Sequence, residues 1–323
     1  MPITDNRSIM PATKRPAAAD PRIAVSIVVC THRRPELLGA CLDSLIGQRV
    51  GGGSPDFVHE ILVIDNSALA EGRPVVESRQ AAFALRGVPL RHILEEQPGV
   101  SFARNRGVAE AAGELIAFID DDERACDGWL EALVAPFADP GVDMVAGEVD
   151  PDFGAHARPD WLTDDFLAVF SCHWGWDTES RFLKPGEWFG EGNCAFRKRL
   201  LDGRGFPTDV GRSGDGLMSS EGMLFTALRA AGATVYYVPG ARVSHYIHPD
   251  RLDKAWVLRR MFFQGVSDYI AHRRYGLRKL PQDFTLSLGK LIALDVQMLD
   301  PVGLRAIADL YYQLGYAAGS NMY

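Results

Sequence analysis

Two hydrophobic rhythms alternate along the first third of the chain. Residues 89–94 (PLRHIL) read as a strand, and residues 23–30 (IAVSIVVC), 60–64 (EILVI) and 115–119 (LIAFI) are short, nearly unbroken apolar runs. They lack the alternation of a half-exposed strand and fit strands buried on both faces, as in a parallel sheet. Between them the apolar spacing turns helical. Pro35 suits a first turn, and Leu37, Leu38, Cys41, Leu42, Leu45 and Ile46 follow at intervals of one helix face. Ser101 is placed to cap a further helix that runs to Ala112 and stops at Gly113. Three strand–helix pairs joined by crossovers thus precede residues 115–119. They predict a doubly wound α/β half of about 100 residues.

The later pattern is less regular. A helix is expected from Trp129 to about Phe137, a short strand over 144–147, and a strand over 188–197 that contains Gly190 and Gly192. Glycines inside a strand imply close approach of a ligand or another backbone. A helix over 223–231 closes at Gly232, and short strands are expected over 235–238 and 241–244. Between Pro151 and Pro185 periodicity weakens and rings accumulate: Phe153, Trp161, Phe166, Phe170, Trp174, Trp176 and Phe182. They could line an acceptor cleft, because sugar faces stack on rings, or be loops packed over a sheet. From Arg251 to Lys279 the period is helical, with Leu252, Trp256, Phe263, Val266 and Ile270 on one broad face. The segment 280–323 is helical and apolar enough to pack, against the body or a second copy. The expected organisation is a disordered tail (1–22), an α/β half (23–125), a second half (126–248) and a C-terminal helical extension (249–323).

Composition narrows the class. Of 323 residues 47% are hydrophobic, enough for a sizeable core, and the net charge of −8 opposes a nucleic-acid partner. The five cysteines are scattered without C-x-x-C spacing, so reduced thiols in a cytoplasmic protein are expected. No apolar run approaches the roughly 20 residues of a membrane span, and the first residues lack the apolar core of a secretion signal. The 251–279 segment reverses the charge balance, with eight basic residues against two acidic ones. It reads either as a peripheral contact with anionic lipid at the inner membrane face, or pyrophosphate, or as a helix packed on the body with a solvated basic edge.

Chemistry concentrates where the fourth expected strand ends. Residues 115–123 read LIAFIDDDE, an abrupt change from a buried strand to four acids. The carboxyl ends of parallel strands are where open α/β sheets bind ligands. Asp120 and Asp122, two apart, could share one side of an extended segment with Asp121 turned away. Two hard oxygen donors beside an anion site suit Mg2+ or Mn2+; an isolated acidic turn is the plain alternative. Thr31 and Asp65 end the first two strands, where each either shapes a cap or turn or meets a nucleotide. Arg104 and Asn105 lie in the first turns of a helix, where an arginine opposes the helix dipole unless an anion is bound. Glu221, at a helix start, is a cap or a general base. His245 and His248 follow a strand and are modest candidates for metal or phosphate contact.

Six segments in order, SIVVCTHRRP, ILVIDNS, GVSFARNRG, FIDDDE, GNCAFR and SSEGMLFTALRAAG, resemble those of family 2 glycosyltransferases over roughly Val25 to His245. The resemblance implies a GT-A-like fold: a doubly wound, mixed, mainly parallel sheet, here with a C-terminal helical extension. It implies an inverting enzyme that uses a nucleotide-sugar donor, UDP-linked in the first instance, with Mn2+ or Mg2+. By this resemblance the 23–125 half would bind the nucleotide-sugar, and the 126–248 half would be catalytic and bind the acceptor, a hydroxyl of a saccharide or lipid-linked sugar. By the same resemblance Thr31, Arg33, Asp65, Arg104 and Asp121 would bind the nucleotide. Asp120, Asp122 and His245 would hold the metal, Asn193 and Trp188 would border sugar or acceptor, and Glu221 would be the base. The family often has a second acid after that position, and here Gly222 stands there. Glu221 or Asp215 would then serve, or the chain is a non-catalytic nucleotide-sugar binder. A sugar nucleotidyltransferase is opposed by the absence of glycine in Thr31-His32-Arg33-Arg34-Pro35.

Overall fold

Strands buried on both faces need crossovers to pair in parallel, and the first half of the chain is built that way. In the computed structural model the described residues are 22–50, 57–172, 178–184, 187, 189–201, 203–209, 221–275 and 296–322. Strand β1 (Arg22–Thr31) is followed by helix α1 (Pro35–Leu45), β2 (Phe57–Asp65), the short helices α2 (Arg73–Glu77) and α3 (Gln80–Ala84), β3 (Leu90–Leu94), α4 (Val100–Glu110) and β4 (Leu115–Phe118). β1 pairs in parallel with β2 and with β4, and β2 with β3. The order β3-β2-β1-β4 reverses direction between β1 and β4. The carboxyl ends of those two strands flank a topological switch point, the place such sheets keep open for a ligand.

The second half makes the sheet mixed. It adds β5 (Glu123–Ala125), α5 (Trp129–Val134), β6 (Met144–Asp152), β7 (Arg181–Phe182), β8 (Cys194–Arg197), α6 (Glu221–Ala230) and β9 (Val235–Tyr246). β8 lies antiparallel between β4 and β6, β6 runs parallel to β9, and β9 pairs antiparallel with β5 and β7. Val25, Ile27 and Val29 face one core layer with Leu38, Leu42, Trp129 and Phe166. Val28, Ile64 and Phe118 face the other with Ala103, Phe196, Phe206 and Phe225.

Several expectations change. The strand expected over 188–197 is confined to Cys194–Arg197; Gly192 lies in the preceding turn, and Trp188 falls outside the described residues. The two strands after residue 234 are one, β9, whose pairing with β6 shifts register between Gly147 and Glu148, and β6 runs on to Asp152. Ser101 does not cap α4: the helix starts at Val100 after Gly99, whose φ of 133° suits glycine alone, and Ser101 is inside it and buried. α1 likewise has no side-chain cap, because Thr31 is still in β1. Phe166 and Phe170 are core residues, and Phe170 stacks on Trp256 at 5.3 Å. Of the ring-rich stretch, Phe182 is half exposed, while Trp174 and Trp176 lie outside the described residues. The disordered-tail expectation for 1–22 also falls outside them, apart from Arg22.

The C-terminal extension is a pair of helices, α7 (Lys254–Tyr275) and α8 (Pro301–Met322). Contacts advance together along both, from Lys254 Nζ on the carbonyls of Gln297 and Leu299 to Tyr269 beside Gly319, so the helices run in the same direction. A Cβ on Gly265 would collide with the Tyr312 carbonyl, and one on Gly315 with that of Phe262. The backbones touch along a glycine seam. A Gly265→Val substitution should destabilise the pair by about 1–3 kcal/mol, the usual cost of overpacking, and should admit protease between α7 and α8. Limited proteolysis of wild type and variant checks this.

Buried in β2, His59 has an Nε2 without a hydrogen-bond partner among the described residues. Burial pushes its pKa from 6.5 down to about 4. The unfolded chain therefore takes up this proton first. The stability concerned is fully present above pH 6.5 and lost as pH falls toward 4, roughly 3 kcal/mol in all. Urea midpoints between pH 7 and 4.5 should fall less steeply in His59→Leu than in wild type.

Candidate active site

β4 ends at Phe118 and β5 begins at Glu123, so Asp120–Asp122 sit in the link between strands with different partners. Asp121 and Asp122 lie in a turn there, so strand alternation does not govern their directions. Asp120 accepts from Arg104 Nη2 at 3.1 Å, and its side chain is 41% exposed. Asp121 is buried. It accepts from Thr31 Oγ1 at 2.8 Å and from Arg34 Nη1 at 3.1 Å. Asp122 is also buried; its carboxylate lies 3.0 Å from the same Arg34 Nη1, 3.6 Å from His245 Nε2 and 3.7 Å from Arg251 Nη2. Asp121 thus does not turn away: it shares a guanidinium with Asp122, and Asp120 is the outlying member.

Glu123 completes the acidic run from below. It is buried and accepts from the Asp120 amide at 3.1 Å. Gly192 lies over it: a Cβ there would come within 2.5 Å of Glu123 Oε1 and 2.8 Å of Asp120 Oδ2. The close approach expected of the 190–192 glycines is therefore to these carboxylates. Sheet pairing brings His245 in, because β9 sets it opposite Glu123.

Charge state follows from this packing. Burial and the neighbouring Asp122 push the Asp121 carboxyl up to about 7, against the pull of Arg34 and Thr31. Burial works the same way on Asp122, but His245, Arg251 and Arg34 outweigh it and hold that carboxyl well below its ordinary range. Burial and Asp120 drive Glu123 well above its ordinary value. Burial opposes the charge on His245, yet Asp122 and the Cys172 thiol, 3.4 Å from Nδ1, raise it well above 6.5. In the metal-free chain His245 pairs with Asp122, beside the carboxylates expected to hold a metal.

Other expected residues lie elsewhere or are fully engaged. Arg33 has φ +57° and is 70% exposed beside Glu71; the turn it makes directs Arg34, not Arg33, to the aspartates. Asp65 is completely buried, and its oxygens accept from the Ser67 amide and hydroxyl, the Gly72 amide and His92. It shapes the β2–α2 turn and exposes no oxygen to a nucleoside. Arg104 is 3% exposed, with its guanidinium 5.4 Å from the centre of Phe118 and 5.7 Å from that of Phe206. Asn193 is completely buried: it accepts from Trp129 Nε1 and donates to the carbonyls of Glu148 and Ala241, which knits β6 and β9 to the β8 turn. That correction removes it from the sugar surface. Glu221 is the first residue of α6; its side chain and Asp215 fall outside the described residues. Arg34, Glu123, Cys172 and Arg251 were missed. Arg34 stood beside the chosen Arg33 in the quoted motif, and Arg251 carried no signal beyond its place in the basic segment.

Residues 26–205 match the family model described as Glycosyl transferase family 2. The chain belongs to that family. It is a glycosyltransferase. It is 28% identical over 261 residues to the succinoglycan biosynthesis protein ExoM of Rhizobium meliloti, covering 79% of this chain and 78% of that one. It is 27% identical over 263 residues to a glucosyl-dolichyl phosphate glucuronosyltransferase of Haloferax volcanii, covering 78% of each. Among solved structures, the mannosyltransferase PcManGT of Pyrobaculum calidifontis, in complex with GDP-Man and Mn2+, superposes with a TM-score of 0.56 at 21% identity, covering 95% of this chain and 80% of that one. The shared fold is that of GT-A glycosyltransferases, as the motifs implied.

Arg34 bridges two carboxylates of this glycosyltransferase, so removing it leaves both undercompensated. Arg34→Ala should cost roughly 1–2 kcal/mol, less than a fully buried pair because Arg34 is 39% exposed. Adding Asp121→Asn should restore part of the loss. Urea unfolding of single and double variants checks both expectations.

Proposed function

We propose that the enzyme transfers a sugar from a nucleoside diphosphate-sugar to a hydroxyl of a saccharide or lipid-linked acceptor, with inversion, in glycan or glycolipid assembly. The observation that carries this reading is the convergence of Thr31, Arg34, Arg104 and Asp120–Asp122 at the switch point between β1 and β4. UDP is proposed as the nucleotide on the resemblance described above, with GDP and dTDP as competing outcomes.

Among the described residues no three His, Cys, Asp or Glu side chains form a ready cage. Two carboxylates of hard oxygen, one of them partly exposed, fit Mg2+ or Mn2+ held by one or two acids plus substrate phosphates. Asp120 and Asp122 would hold it, and the ion would supply positive charge to the departing diphosphate. The chain's own groups do the rest. Arg104 orients Asp120, Arg34 and Arg251 fix Asp122, and Thr31 holds Asp121 at the nucleotide end of β1. Glu221, at the amino end of α6, takes the proton from the acceptor hydroxyl as its oxygen attacks the anomeric carbon from the face opposite the leaving group. No covalent sugar–enzyme intermediate is required.

No described helix is long and apolar enough to cross a membrane. A peripheral membrane contact through 251–279 is proposed only for the outer side of α7, because Arg251, Lys254 and Arg274 are turned to Asp122, to backbone carbonyls and to Asp209. A homodimer would use the outer side of the C-terminal pair, where Met298 and Val302 are exposed.

Glu221→Gln should lower radiolabelled sugar transfer by about 100-fold or more and leave Mn2+-dependent UDP binding unchanged by calorimetry. Asp122→Ala should abolish that binding. Transfer by Glu221→Gln within a few-fold of wild type removes Glu221 as base. Binding without any turnover in the wild type favours the non-catalytic reading that Gly222 raises.

A further inference from the structure

A cavity of about 1060 Å³ opens between α6, β9 and the paired helices α7 and α8. Its size is at the upper end of small-molecule sites. It does not include the aspartates, but it adjoins them. Glu191 is on its wall, and the next residue, Gly192, lies against Asp120 and Glu123. Phe225, also on the wall, is one helical turn along α6 from Glu221.

We propose that this cavity binds a neutral oligosaccharide, the acceptor of the transfer; the acceptor role rests on the function proposed above. Charge decides the ligand class first. Four acids line the cavity against three arginines and one histidine. Three of these charged groups are held by a neighbouring side chain or by backbone. Glu187 takes two bonds from Arg181, Arg229 donates to the Lys184 and Glu187 carbonyls, and Arg305 donates to the Asp165 carbonyl. With Glu187 paired by Arg181 the wall is close to charge balance, which suits a neutral polyol better than a phosphate.

Shape and hydrogen bonding point the same way. Phe182 is 46% exposed and fixed edge-on to Tyr236 at 4.9 Å, which leaves ring surface at the cavity for the apolar face of a pyranose. Opposite the sheet, Gln264 Nε2 and the Tyr312 hydroxyl donate to the two oxygens of Asp268, each at 2.8 Å. The network locks an amide, a carboxylate and a phenol in place on two helices whose backbones touch. Polar groups immobilised in advance lose little entropy when they receive sugar hydroxyls.

The test uses the full chain and saturation-transfer NMR with maltotriose, cellotriose, laminaritriose and α-mannotriose, and with farnesyl phosphate as an anionic amphiphile. Binding of at least one trisaccharide is expected, weakened five-fold or more in Phe182→Ala and in Gln264→Ala, with Mn2+-dependent UDP binding of both variants equal to wild type. The proposal is overturned if no trisaccharide binds, if both variants bind it as wild type does, or if farnesyl phosphate alone binds. Failure of the donor reading shows separately, as wild-type protein that binds a trisaccharide but neither UDP nor GDP.

Discussion

Four consecutive acids at one strand tip repel each other, and the structure around them is arranged to offset that repulsion. Arg34 comes from the turn into α1, Arg104 from α4, His245 from the end of β9 and Arg251 from the segment before α7. Four separate stretches of chain thus end on one cluster. Each must fold correctly for the cluster to be tolerable, so local acidity enforces long-range order. Protonation offsets the rest of the repulsion, since Asp121 and Glu123 bind protons more readily than isolated carboxyls.

The same cluster explains why its members differ. Asp122 is ringed by cations and stays ionised, Asp121 is buried beside it and gives way, and Asp120 reaches outward. Three identical side chains in a row thereby acquire three environments. Under the function proposed above, a donor phosphate would meet arginines already aimed at this point, which would keep reorganisation on binding small.

Much of this was legible in the sequence, and the limits have physical causes. β1, β2 and β4 showed because a strand buried on both faces must be apolar throughout; β3, an edge strand with Arg91 exposed, carries a weaker signal in Leu90, Ile93 and Leu94. The ligand-binding edge showed because polarity changes abruptly at Asp120. β8 and the length of β9 were harder, since their pairing is set by partners 50 or more residues away rather than by local period. α2 and α3 have five residues each, too few to display a helical repeat. That Arg34 rather than Arg33 reaches the aspartates depends on a backbone detail, a left-handed φ at Arg33 that no residue type announces. Asp65 and Asn193 were recognised as special, but their polarity serves the turn and the sheet. A buried polar side chain at a strand end looks alike from sequence whether its partner is a ligand or the backbone.

The glycine seam between α7 and α8 has a consequence for whatever enters beside it. With main chain against main chain at Gly265 and Gly315, neither helix can roll or slide past the other without collision. The pair behaves as one plank, so the side of the opening that it forms has a fixed contour. A molecule entering as proposed would have to match that contour, as a rod is matched to a caliper's jaw.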